Sequence, residues 1–229
     1  MAITEENPGY KWVGTRPVRP DGVEKVTGKA RFGADLILPG MLHGKVVRSP
    51  HAHARIVSID TSAAESMEGV KAVITGADFP DLAANGAHPS EIDVANNTIA
   101  RDKVLYEGHV VAAVAAITRE QAEAAAKAVT VTYEVLPHVL TVDEAMADDA
   151  PLLHDAMITK GVDPAPEEPS NIASKILHER GDLDQGFGEA DSVVEREFTT
   201  KPVHQGYIEP HAAVADANTD GRAHIWCSS

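Results

Sequence analysis

Eleven histidines and a single cysteine are the residues of this chain best able to bind a metal or carry a proton. His51 and His53 lie two apart and share a face if the chain is extended there. No carboxylate or cysteine stands near them at familiar ligand spacing, and the preceding Ser49-Pro50 favours a role in stabilising a turn over one in holding a metal. His204, Glu209 and His211 form a second set. Within one strand Glu209 and His211 share a face and could work as an acid–base couple, while His204 needs a bulge at Gly206 to join them. The alternative is a hydrogen-bonded polar pair buried at a domain seam. Gly181–Gly188 (GDLDQGFG) lacks the basic residue of a phosphate loop, and its two acids oppose an anion, so it reads as a loop and short helix. Cys227 reads as a strand residue rather than a nucleophile. Local spacing assembles neither a catalytic set nor a metal site.

The elements that must position these residues follow from hydrophobic periodicity. Leu42–Ser49 and Ala54–Ile59 predict strands separated by the Ser49-Pro50 turn. Asp60 or Thr61 caps a short helix over Ala63–Met67, which Gly69 ends, and Val70–Thr75 is a short strand. Gly76–Asn97, with its Asp, Pro, Gly and Asn, reads as a long surface loop. Val110–Ile117 is an unbroken apolar run that predicts a strand buried on both faces. Thr118 and Gln121 form a capping box opening an alanine-rich helix to Ala128, and Val129–Val135 alternates as a half-buried strand. Strand, helix and strand in this rhythm predict a βαβ-type unit, and Arg55–Thr75 repeats it. Thr141 and Glu144 make a second capping box, for a helix reaching Met146. Gly161–Ser170, with three prolines, reads as a linker. Beyond it, Ile172–Glu179, Ser192–Thr200, Val203–Ala215 and Ala223–Ser229 are β-like, the last two joined by a turn at Asp220-Gly221.

Composition narrows the partners. A net charge of −15 over 229 residues, with few aromatic residues and no basic cluster, argues against nucleic acid and anionic lipid. No apolar run approaches the roughly 20 residues needed to span a bilayer. The polar N-terminus lacks a signal-peptide pattern, and a lone cysteine suits a reducing compartment, so a cytoplasmic location is expected. The last strand presents unpaired backbone and half a hydrophobic face, which predicts that the fold is completed by another polypeptide.

Several collinear strings resemble one family. Asp21–Phe32 (DGVEKVTGKARF), Arg48–Ile56 (RSPHAHARI), Ile59–Ala64, Gly108–Val114 (GHVVAAV) and Val131–Pro137 (VTYEVLP) are similar to the xanthine dehydrogenase and aldehyde oxidase family of molybdenum hydroxylases. So are Gly181-Asp182-Leu183, Phe187–Asp191 and His204–His211 (HQGYIEPH). The resemblance implies an α+β chain: an extended arm over 1–20, an α/β-hammerhead domain over 21–137, a linker with a short helix over 138–170, and the first strands of a molybdopterin-binding domain over 171–229. Family members insert a water-derived oxygen at an activated carbon and pass electrons through iron–sulfur clusters to flavin. In the family pattern the strand matching Ile225–Ser229 leads into a glutamine near the molybdenum, and the catalytic glutamate lies far beyond it.

The resemblance therefore implies an N-terminal component of a split molybdenum-dependent oxidoreductase, with no catalytic residue of its own. A companion chain would hold most of the molybdenum–molybdopterin cofactor. An iron–sulfur subunit with 2Fe–2S clusters, and in some arrangements an FAD subunit, would complete the complex. His204, Gln205, Gly206, Glu209, Cys227, Ser228 and Ser229 are the residues expected near the cofactor cavity. Rival readings are a non-catalytic binding or assembly protein of the same fold, and a molybdenum-dependent hydratase or aromatic acyl-CoA reductase subunit.

Overall fold

The computed structural model describes residues 10–82, 84–86 and 88–228, with the side chains of residues 89 and 90 left out. The chain divides into two compact units, Gly40–Val194 and the two terminal segments, up to Pro39 and from Glu195 onward. A five-residue helix, α1 (Gly22–Val26), lies in the terminal unit.

Within Gly40–Val194 the elements run β1 (His43–Arg48), β2 (Ala54–Asp60), α2 (Ser62–Glu65), β3 (Val70–Thr75) and α3 (Pro89–Thr98). They continue with β4 (Lys103–Val104), β5 (Val110–Ala116), α4 (Arg119–Ala128), β6 (Thr130–Val135), α5 (Val142–Met146) and α6 (Leu183–Gly188). Two three-stranded sheets result, ordered β1-β5-β3 and β4-β2-β6, and their strands pair antiparallel.

β5 is the buried strand its apolar run predicts. Val111, Ala112 and Ala116 are 0% exposed and Val114 is 1% exposed. Its side chains alternate between two clusters, as strand geometry requires. Ala112 and Val114 pack with Ala64, Ala125 and Val129 beneath α2 and α4. Val111 packs the other way, against Ala54, Ala100 and Val104 of the second sheet's side. The small Ala and Val side chains allow this close approach on both faces, and α4 contributes Ala122 and Ala125 from one stripe.

The βαβ reading is corrected here. β5 and β6 flank α4 in sequence but lie in different sheets, as do β2 and β3 around α2. A continuous apolar run reports burial on two faces; it does not report strand direction. A second sheet rather than a layer of helices covers one face of β5, so antiparallel pairing suffices.

Both capping boxes form as read. Thr118 Oγ1 accepts the Gln121 N–H at 3.2 Å, and Gln121 Oε1 accepts the Thr118 N–H. Thr141 and Glu144 repeat the exchange. Asp182 caps α6 by accepting the Gln185 N–H at 2.9 Å.

The loop expected over Gly76–Asn97 is corrected to a 3₁₀ turn (Gly76–Asp78) and the ten-residue α3. Its asparagines misled the reading because this helix is capped from a distance. His109, 1% exposed, donates Nε2–H to the Asn96 carbonyl at 2.8 Å and accepts the Leu105 N–H on Nδ1 at 3.3 Å. Tyr106 stacks on that imidazole at 4.4 Å between ring centres and donates its hydroxyl to the Asn97 carbonyl at 3.1 Å. Carbonyls that a helix end normally leaves unsatisfied are thus met by the segment leading into β5. Pro89 at the first helical position and Glu91 in the first turn were the signals in the sequence that could have shown it.

The β-like expectation over Ile172–Glu179 is also corrected: it yields one isolated bridge, Lys160 with Ser174. Ser192–Thr200 carries no strand. Alternation alone does not make a strand without a neighbouring edge to pair with. Residues 145–175 are tied by side chains instead. Asn171 Nδ2 donates to the Ala145 and Pro151 carbonyls, and its Oδ1 accepts the Leu153 N–H. The 7%-exposed Thr159 bonds Ser170 Oγ and the Ile172 carbonyl.

Two outcomes are expected. Asn171→Ala removes three hydrogen bonds at once and should lower unfolding free energy by about 2 kcal/mol, read by urea titration. Burial lowers the His109 pKa from its ordinary value of 6.5, so the unfolded chain binds the proton more readily than the folded one. Stability at His109 is therefore complete above pH 6.5 and declines as pH falls below it. Thermal melts from pH 7.5 to 5 should show this decline, and His109→Gln should reduce it.

Candidate functional site

Most of the residues expected near a cofactor fall in the terminal unit. Its core is a hairpin of β7 (Ala213–Ala217) and β8 (Ala223–Cys227), paired in register from Ala213 with Cys227 to Ala217 with Ala223. The turn forms at the expected place. Gly221 takes φ +83°, the Asn218 N–H reaches the Arg222 carbonyl at 2.8 Å, and Asp220 Oδ1 accepts the Arg222 N–H.

The expected strand over Val203–Ala215 is shorter than read, because pairing begins only at Ala213. Glu209 and His211 therefore precede the hairpin and do not share the face of a strand. Both are exposed, unlike a buried polar pair. Glu209 Oε1 accepts the Gly33 N–H at 3.3 Å. His211 meets the Tyr207 ring edge-to-face at 5.7 Å, and Tyr207 meets His204 the same way at 6.3 Å. Gly206, at φ +67°, turns the chain so that its N–H reaches His204 Nδ1 at 2.9 Å. That bond leaves the proton of the neutral imidazole on Nε2. The bulge imagined at Gly206 is thus a turn held by His204 itself.

Ser228 closes the hairpin. Its Oγ accepts the Ala212 N–H at 2.8 Å, and its own N–H donates to the Ala212 carbonyl at 3.0 Å. A β-carbon on Gly33 would stand 3.4 Å from Ser228 Cβ and 3.5 Å from the Ala212 carbonyl oxygen. The Gly33–Asp35 turn therefore packs closely on this end of the hairpin, where Glu209 also holds it. Glu209 and Ser228 both approach Gly33, and His204, Tyr207 and His211 form a ring cluster. Gln205 and Cys227 are exposed, Cys227 at the end of β8. Ser229 lies outside the described residues. Gly33 is the residue sequence reasoning missed: it follows the string Asp21–Phe32, and its contact lies 176 positions away.

Elsewhere, His53 is 4% exposed and bonds the Pro137 carbonyl through Nδ1 at 2.6 Å, and His51 packs edge-to-face on Tyr133. The Ser49 hydroxyl accepts the His51 N–H at 3.0 Å, which is the turn-stabilising arrangement read from the sequence.

Among the described residues no group of three or more His, Cys, Asp or Glu could hold a metal ion. His204 Nδ1, Glu209 Oε1 and Ser228 Oγ accept the N–H groups of Gly206, Gly33 and Ala212 respectively.

Two antiparallel sheets with helices packed on one of them, followed by a hairpin unit, define an α+β chain of the hammerhead kind joined to the beginning of a cofactor-binding domain. Residues 27–137 match the aldehyde oxidase and xanthine dehydrogenase a/b hammerhead domain, and residues 164–229 match the molybdopterin cofactor-binding domain. The chain belongs to the xanthine dehydrogenase and aldehyde oxidase family of molybdenum hydroxylases, and corresponds to the N-terminal part of the molybdopterin-binding large subunit. It is 38% identical over 204 residues to a probable xanthine dehydrogenase subunit of Bacillus subtilis (strain 168), covering 89% of this chain and 25% of that protein. The nicotinate dehydrogenase large molybdopterin subunit of Eubacterium barkeri is 34% identical over 216 residues, covering 93% of this chain and 46% of that protein. Quinoline 2-oxidoreductase from Pseudomonas putida 86 superposes with a TM-score of 0.74 at 30% identity, over 93% of this chain and 26% of that one. The chain thus spans a quarter to a half of the length of these relatives. No helix among the described residues is long and apolar enough to cross a membrane.

Ser228→Ala removes the acceptor for the Ala212 N–H and is expected to cost about 1 kcal/mol locally. Hydrogen exchange at Ala212 should then speed up roughly fivefold, with β5 amides unchanged.

Proposed function

We propose that this chain is the N-terminal component of a split molybdenum-dependent oxidoreductase of the hydroxylase or dehydrogenase type, in which a companion chain completes the molybdopterin-binding domain. The observation that carries this reading is the exposed apolar surface on the residues matching that domain. Ile208 is 100% exposed, Val203 87%, Phe198 84% and Ile225 67%. So many large apolar side chains left exposed on these residues favour cover by another polypeptide. Covering this unit fits a permanent interface on the order of 2,000 Å² or more.

In this reading the molybdenum cofactor, held mainly by the companion, supplies oxygen insertion from water and accepts two electrons. His204, Gln205, Gly206, Glu209, Cys227 and Ser228 are the described residues proposed to lie near its chamber, and Ser229 belongs to the same set. The hydrogen bonds that the Gly206, Gly33 and Ala212 N–H groups donate to His204, Glu209 and Ser228 hold this region in place. The domain bounds are those implied by the resemblance: 21–137 for the hammerhead and 171–229 for the beginning of the cofactor domain. An iron–sulfur subunit, joined in some arrangements by an FAD subunit, carries the electrons away, in the cytoplasm.

The chain, tagged and purified from its native source, is expected to bring down a molybdopterin-containing protein and an iron–sulfur protein at fixed stoichiometry. Product should form only when an electron acceptor is present. Isolation as a molybdenum-free monomer would favour the binding or assembly reading. Product formation without an acceptor would point to a hydratase.

A further inference from the structure

We propose that the Gly40–Val194 unit carries a ligand site of its own, a preformed pocket for a small amphiphilic amine, meaning an apolar ring that bears a protonated nitrogen. A cavity of about 420 Å³ opens between the stretch following the Gly76–Asp78 turn and helix α3. Phe79, Pro80 and Leu82 line one side, Ile92 and Ile99 the other, and the exposed carboxylates of Asp81 and Asp102 also border it. This volume and lining are those of small-molecule sites, which are mostly apolar with a few polar groups for orientation.

Each side of the cavity is held by its own bonds. Asp78 accepts the Thr75 N–H at 2.7 Å, and Arg101 Nη2 donates to the Phe79 and Pro80 carbonyls at 2.7 and 3.1 Å. A β-carbon on Gly76 would fall 2.6 Å from the Ala100 carbonyl oxygen and 2.9 Å from Arg101 Cα, so a larger residue would push this side away. On the opposite side, His109 and Tyr106 fix the end of α3 through Asn96 and Asn97. A cavity fixed on both sides before binding spares a ligand the ordering cost.

Charge selects the ligand class. Arg101 brings one positive charge to the lining and Asp81 and Asp102 bring two negative ones, Asp81 Oδ1 also accepting the Ala84 N–H at 3.2 Å, so the opening is negative on balance in a chain of net charge −15. An anion is opposed there and a cation is drawn in. Phe79, 46% exposed, offers a ring face for a cation or an aromatic group.

The test uses the chain in the complex from its native source, titrated calorimetrically at pH 7 with phenethylamine, neutral 2-phenylethanol and anionic phenylacetate. Phenethylamine is expected to bind at least tenfold more tightly than phenylacetate. Ala95→Phe, which fills the cavity, should abolish binding, and Asp102→Asn should weaken it about fivefold, with thermal melts checking that each variant folds. Should Ala95→Phe fail to fold, Asp102→Asn decides. Absence of phenethylamine binding, equal affinity for the three compounds, or undiminished affinity in Asp102→Asn overturns the proposal.

Discussion

The structure of the Gly40–Val194 unit depends on β5 being buried on both faces. A strand can satisfy two cores only if its side chains alternate strictly and stay small. Val111 on one side and Ala112 and Val114 on the other meet both conditions. β1 and β3 take its two hydrogen-bonding edges, so its backbone groups are met as well. α2 and α4 then have a flat apolar surface to cover, and the β4-β2-β6 sheet has a partner face. A larger side chain at Ala112 or Ala116 would have to displace a helix or a neighbouring strand, because close-packed interiors do not absorb added volume.

The segment leading into β5 extends this order outward. His109 is nearly as buried as the strand it precedes, and its two ring nitrogens face a donor and an acceptor of opposite kind. Neutral imidazole satisfies both; imidazolium does not. The same residue therefore joins the rigid strand to α3, a helix whose own sequence carries little helical preference in its second half, Val94–Thr98 (VANNT). Here a buried titratable group serves architecture, and only through that architecture does it shape the cavity beside α3.

The terminal unit is built on a different principle. Its hairpin is short, its hydrogen bonds are local, and many of its apolar side chains lie exposed. Two strands with one uncovered face are marginal by themselves. What order there is near His204–Ser228 comes from polar contacts to backbone, together with the Gly33 turn packed against Ser228.

Features fixed by neighbours in the chain were legible from the sequence alone. The capping boxes at Thr118 and Thr141, the turn at Asp220-Gly221 and the two-sided burial of Val110–Ala116 each depend on residues within a few positions of one another. The family was legible too, because its strings occur in a fixed order. The sequence did not determine which sheet each strand joins, the helix over Pro89–Thr98, the early end of pairing at Ala213, or the meeting of Gly33 with Glu209. Those depend on groups distant along the chain, such as His109 for Asn96 and Ser228 for Ala212, and only folding in three dimensions brings a donor to its acceptor across that separation.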